Sequence, residues 1–280
     1  MRPIPSEGRR RAAGTATGIL LAGLLTGCIG LTPAEERQIG ANMAREARGQ
    51  LLFIQDAVVQ DYVRDIGGRL VAAFGSHEFD YHFEVVDDDE INAFAAPAGY
   101  IYIHTETILR AHNVSELAAV LAHEIGHVAL RHISQNYARQ RGASTLQQAV
   151  VLAASFFGFG GLANLGGGLA AIAALNQFTR ADEEAADVFA VEALPRAGYD
   201  PQGLVSFLEV IGQENGDGHT PALLSSHPAT RDRIAVAVAL VAEMPPVAGL
   251  RRGDRGRLEI IQRRIELLSR KVTPSGRRPL

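Results

Sequence analysis

His123, Glu124 and His127 stand in the run His-Glu-Ile-Gly-His, and on a helix their spacing has a chemical meaning. An α-helix turns about 100° per residue, so side chains four apart leave the same face about one turn apart. Two imidazoles so placed can chelate one metal ion. Glu124, beside the first of them, is set to reach a water on that ion instead of the ion itself, which is the position of a general base. The flanks support this reading over a helix with two solvated or core-satisfied histidines. Leu117, Val120, Leu121, Ile125, Val128 and Leu130 make the stretch apolar nearly all round, and such helices are buried. Buried imidazoles and carboxylates need partners. Asn113 is placed to cap the helix, with Glu116 three residues on to close a capping box.

A catalytic zinc site commonly has three protein ligands and an open position, so a third ligand is expected from elsewhere. The extended pattern His-Glu-x-x-His-x-x-Gly-x-x-His is excluded, because Leu130 and Ile133 stand where its glycine and last histidine belong. His132 is one place short of that histidine and is expected on the helix flank. The better source is the segment Phe178 to Asp187, where Glu183 and Asp187 share a helical face as the two histidines do. Glu183 is read as the third ligand, with Glu184 its rival. Asp187 is read as the acceptor that fixes the tautomer of a ligand histidine. Asp182 and Glu184 suit a solvated acidic face.

These motifs resemble a zinc metallopeptidase family that takes in HtpX, the CAAX prenyl proteases and periplasmic proteases of outer-membrane assembly. The likeness rests on His-Glu-Ile-Gly-His, on Arg180, Glu183, Ala186 and Asp187 some fifty residues later, on Ile91 to Tyr100, and on Ser226-His227-Pro228 with Arg231. It covers roughly residues 33–243. The resemblance implies an α+β fold, a mostly helical zincin-like (gluzincin) domain with a small β-sheet whose edge strand lines the cleft. It also implies one zinc ion per chain, substrate binding by Asn92, Ala93 and Phe94, with the substrate backbone held by Asn92 and Ala93, and a catalytic donor in His227 or Arg231. His227 could instead close the fourth coordination position and hold the enzyme inactive; the sequence leaves both roles open. Ala98 departs from the family, which usually has glycine there.

Cys28 is the single cysteine of the 280-residue chain, so no intrachain disulfide forms. It follows a leader with Arg2, Arg9, Arg10 and Arg11 and a short apolar run, Ala12 to Leu25, which reads as a signal peptide. Leu25-Thr26-Gly27-Cys28 resembles a bacterial lipobox, implying lipidation of Cys28 and anchorage to the inner face of the outer membrane, in the periplasm. Removing residues 1–27 takes away those four arginines and Glu7, leaving a body more acidic than the chain's −4 and unsuited to nucleic acid.

The expected organisation is a signal peptide over 1–27, a lipidated linker over 28–33, a zinc metallopeptidase domain over 34–243, and a linker with an amphipathic helix over 244–280. Within the domain, helices are expected over 34–50 and 56–74 and a strand over 81–86. Residues 91–96 and 100–104 read as two strands of a hairpin around Pro97-Ala98-Gly99. Residues 142–179 carry no charge and too many glycines for a membrane span; they read as an insertion packed over the site, or a membrane- or partner-touching loop. The function expected is a zinc endopeptidase of the bacterial envelope acting on unfolded or misassembled outer-membrane proteins, with the outer-membrane assembly machinery as a possible partner. The alternative is a chaperone-like scaffold for the same clients that seldom cuts.

Overall fold

The computed structural model describes residues 31–75, 78–142, 176–214, 222–227 and 231–271. The leader with Cys28 and most of the 142–179 stretch lie outside them. In chain order the elements are α1 (Pro33–Gln50), α2 (Ala57–Ala73), β1 (His82–Val86), β2 (Ala93–Ala96), β3 (Tyr100–His104), α3 (Thr105–Arg110), α4 (Val114–Ala129) and α5 (His132–Gly142). After these come α6 (Arg180–Arg196), α7 (Gln202–Glu214), α8 (Ala222–Ser226), α9 (Arg231–Glu243) and α10 (Arg257–Lys271). Among the described residues the fold is α+β, mostly helical with one small sheet, as the resemblance implies. No described helix is long and apolar enough to cross a membrane.

The sheet order is β1-β3-β2, with β1 parallel to β3 and β2 antiparallel to it. β2 and β3 are the expected hairpin, joined by a 3₁₀ turn at Pro97–Gly99. Gly99 takes φ 93, and a Cβ there would lie 2.4 Å from the Asp80 carbonyl oxygen, so only glycine fits. Ala98 also sits in the left-handed region, φ 63, so the turn keeps a backbone that suits glycine despite the alanine.

α4 runs through the centre of the molecule, with every residue from Val114 to Val128 buried. Leu117, Leu121 and Ile125 are wholly out of solvent. Burial of side chains of that size stabilises by about 1.5–3 kcal/mol each. Asn113 caps the helix as expected, accepting from the N–H groups of Ser115 and Glu116 at 3.1 Å. Glu116 does not close the box on the Asn113 N–H. Its carboxylate accepts from the His112 N–H at 2.7 Å and the Asn113 side-chain amide at 2.8 Å, one residue further back.

α6 crosses α4 at Gly126, where an added Cβ would lie 3.1 Å from Phe189 and 3.3 Å from Ala186. This close approach brings His123 and His127 against Glu183 and Asp187. α4 also ends sooner than the apolar run suggests. Arg131 takes φ 58 and breaks the helix, and α5 starts at His132.

α10 belongs to the same core. Its stripe Leu258, Ile261 and Ile265 is buried, and α10 packs on α2 and α3. Gln262 donates to the carbonyls of Ile108 and Ala111 at 3.0 and 2.7 Å, satisfying groups that the end of α3 leaves open.

Asp56 ties α2 to α10. One carboxylate oxygen caps α2 by accepting from Val58 and Val59, and the other accepts from Arg264 at 2.7 Å. The Arg264 hydrogen bond, helped by the cap, holds the Asp56 carboxyl below its usual range. Asp56→Ala is expected to cost about 1 kcal/mol, read by urea unfolding. Because the folded carboxyl is the stronger acid, the wild type's advantage should be complete above the ordinary aspartate range and fade as pH falls through the depressed value.

Candidate metal centre

Four side chains from three parts of the chain converge in the interior. α4 supplies His123 and His127, α6 supplies Glu183, and His227 follows α8. One ligand atom from each lies within 4.8 Å of all the others, and all four residues are buried. His127 Nε2 is 3.1 Å from His123 Nε2, which is 3.2 Å from His227 Nδ1. Glu183 Oε1 is 2.9 Å from His227 Nδ1 and 3.4 Å from His127 Nε2, and Oε2 is 3.5 Å from His123 Nε2.

These donors fit a small divalent cation. Ligands about 2.0–2.1 Å from a tetrahedral ion stand about 3.3–3.5 Å apart, close to the spacings here. The imidazole-and-carboxylate set suits zinc. Electrostatics agree with a binding role. Burial alone would raise the Glu183 carboxyl, but His227, His123 and His127 more than offset it and hold it well below the carboxylate range. Burial keeps His127 well below the usual imidazole value, hence neutral and able to ligate. His123 goes the other way: Asp187 and Glu183 outweigh its burial and raise it. Two rings sharing a 3.1 Å contact tolerate one proton between them at most, and a cation would take its place.

Around the four donors stands a second set of charges. Asp187 Oδ1 lies 2.9 Å from His123 Nδ1, the position in which a carboxylate orients a ligand ring. Arg233 holds Asp187 with two 2.8 Å hydrogen bonds, and its remaining nitrogen is 2.7 Å from Glu183 Oε2. Both oxygens of Glu124 are buried without a hydrogen-bond partner, one of them 3.5 Å from His227 Nε2. Burial raises the Glu124 carboxyl above its usual value, only partly countered by His227 and His123. That moves a carboxylate towards the range where it can take up a proton near neutral pH.

α6 is started by Thr179, whose hydroxyl accepts from the Asp182 N–H while Asp182 reaches back in a full capping box. That start puts Glu183 and Asp187 inward and leaves Glu184 exposed. Asp182 is not a solvated acid, since it is buried as a cap and takes Arg139 at 2.7 Å.

Arg231 is exposed at the start of α9, and the arginine that reaches Glu183 and Asp187 is Arg233. The inward stripe of α9 is Arg233, Ala237, Leu240 and Val241, at i, i+4, i+7 and i+8, and that periodicity was the readable signal. His132 is buried and touches His127, where a flank position was expected. Phe178 stacks on the His127 ring with centroids 3.8 Å apart.

The peptide-edge residues also need correction. On a strand paired antiparallel, backbone groups alternate between partner and free edge. Asn92 and Phe94 face β3: the Asn92 carbonyl accepts from the His104 N–H at 2.9 Å, and its N–H donates to Thr107. Phe94 pairs with Tyr102 and stacks on its ring. Of the three, only Ala93 turns its backbone outward, with Ala95. The Ala95 carbonyl accepts from the Asn176 side-chain amide at 2.9 Å.

A buried His-His-Glu set on crossed helices, with a lone glutamate beside it, fits a zincin-like metalloprotease. The family model described as Peptidase family M48 matches residues 57–241. The chain belongs to this family. It is 32% identical over 223 residues to the beta-barrel assembly-enhancing protease of Escherichia coli K12, covering 78% of this chain and 46% of that protein. The protein of the same name from Yersinia pestis is 33% identical over 218 residues, covering 76% and 45%. Metalloprotease LoiP of Escherichia coli K12 is 27% identical over 152 residues, covering 54% and 59%. The chain thus spans about half the length of these curated relatives.

Glu183→Ala is expected to drop the metal content of the purified protein well below one ion per chain. Arg231→Ala, on the exposed face of α9, should keep it. Elemental analysis of the two variants beside wild type checks both.

Proposed function

We propose that this protein is a zinc endopeptidase of the bacterial envelope. The observation that carries the reading is the convergence of His123, His127, Glu183 and His227 beside the buried carboxylate of Glu124, whose oxygens accept no hydrogen bond. His123, His127 and Glu183 are the residues to hold one zinc ion. Arg233 and Asp187 fix the aim of Glu183 and His123. When bound, zinc supplies acidification of a coordinated water to a pKa of about 7 and polarisation of the scissile carbonyl.

Glu124 takes the proton of the attacking water on a carboxylate oxygen and passes it to the leaving amine. No hydrogen bond ties that carboxylate down, and its raised affinity for a proton suits the exchange. The substrate strand is proposed to pair with the outward groups of Ala93 on β2, the strand at the edge of the sheet. His227 has Nδ1 among the donors and would take the fourth position on an ion held there, which supports a self-blocked resting state over a donor role.

The setting is proposed from the names of the relatives, two of which are called beta-barrel assembly-enhancing protease. The leader-like amino terminus ending at Cys28 supports it too. The substrates are then unfolded or misassembled outer-membrane proteins, met by an enzyme lipid-anchored through Cys28 on the periplasmic side.

Wild type should degrade an unfolded β-barrel protein and casein, and a zinc chelator should stop it. Glu124→Gln should keep its zinc while cleavage falls about 100–10,000-fold, since an amide cannot accept the proton. Undiminished cleavage by that variant would reject the mechanism. His227→Ala should raise the basal rate by freeing the fourth position; a lower rate would return His227 to the role of donor.

A further inference from the structure

His123 and His127 are alike in the direction of their Nε2 atoms, which meet at 3.1 Å in the centre of the cluster. They differ in what stands behind them. Behind His123, Asp187 faces Nδ1 at 2.9 Å. Behind His127, the facing atom is the Nδ1 of another imidazole, His132, at 3.0 Å. This second pairing is buried, with His127 fully enclosed and His132 4% exposed.

A neutral imidazole that gives its Nε2 lone pair to a cation carries its proton on Nδ1, and that N–H needs an acceptor. The atom in place is His132 Nδ1. It can accept only when the His132 proton sits on Nε2. We infer that His132, as the neutral Nε2–H tautomer, is the positioning residue for His127: it accepts from the His127 Nδ1–H and aims the Nε2 lone pair at the metal. The inference rests on the metal centre proposed above and adds a residue to it.

The backbone shows how His132 comes to be there. On an uninterrupted α-helix, residues five apart point about 140° away from each other and do not meet. α4 instead stops at Ala129, and Arg131 adopts φ 58. That left-handed residue reverses the path so that the first residue of α5 folds back on the end of α4. A non-glycine residue holds this conformation only where its surroundings compel it. Here the Arg131 side chain is bound by the buried Glu36 carboxylate and the Leu31 carbonyl. Against a face of the His127 ring lies Phe178, stacked at 18°. The ring is thus held flat by Phe178 and fixed in rotation by His132.

The test compares two substitutions in the full chain. Asparagine at 132 keeps an acceptor, because its Oδ1 occupies the place of the imidazole Nδ1 two bonds from Cβ. Leucine fills similar space and accepts nothing. Zinc affinity measured by chelator competition should fall about 10–100-fold in His132→Leu and stay close to wild type in His132→Asn. Equal losses in both variants, or none in either, overturn the inference. Long-range ¹H–¹⁵N correlation on the zinc-loaded wild type gives a reading that needs no variant. It should show His127 protonated on Nδ1 and His132 on Nε2; a His132 proton on Nδ1 overturns the inference. If wild type itself binds no zinc, the proposed metal centre fails and this inference with it. If wild type binds zinc and His132→Leu matches it, only the role of His132 fails.

Discussion

The structure depends on ionisable groups being kept dry at the crossing of α4 and α6. Glu124, Glu183 and Asp187 are all at most 2% exposed, in a place where an isolated carboxylate would be strongly disfavoured. Arg233 neutralises part of this charge through contacts to two of the three. The imidazoles supply the rest of the polar surroundings. A cation at the convergence of the donors would complete the balance, so the same burial that threatens the fold creates the affinity. Gly126 is the steric condition for it, since a larger side chain would hold the helices apart.

Much of this was legible in the residues themselves. The pair His123 and His127, the buried character of α4 and the shared face of Glu183 and Asp187 follow from 3.6-residue periodicity. Periodicity alone left Glu184 a rival, and it is the capping box of Thr179 and Asp182 at the start of α6 that turns it outward. The strands around Pro97 were equally plain, because alternation and a proline-glycine turn are local signals.

The misreadings share one cause, contacts fixed by backbone direction instead of residue type. Arg231 follows the Ser-His-Pro motif most closely in sequence, but the inward stripe of α9 passes through Arg233. Asn92 and Phe94 flank Ala93 on one strand, and only the pairing register tells which of them offers its backbone outward. His132 is displaced from the flank by a single left-handed residue, Arg131, whose type gives no hint of that conformation. Its cause is a contact to Glu36, 95 residues away, which no local pattern encodes.

The helix after the family-matched region carries its own implication. The match stops at residue 241, yet Gln262 holds the end of α3 and Leu258, Ile261 and Ile265 complete the core beside α2. α3 leads directly into the Asn113 cap that begins the histidine-bearing helix. A fragment cut at the family boundary would therefore uncover an oily groove and unfasten the lead-in to α4. The working unit of this protein is larger than the region that the family model matches.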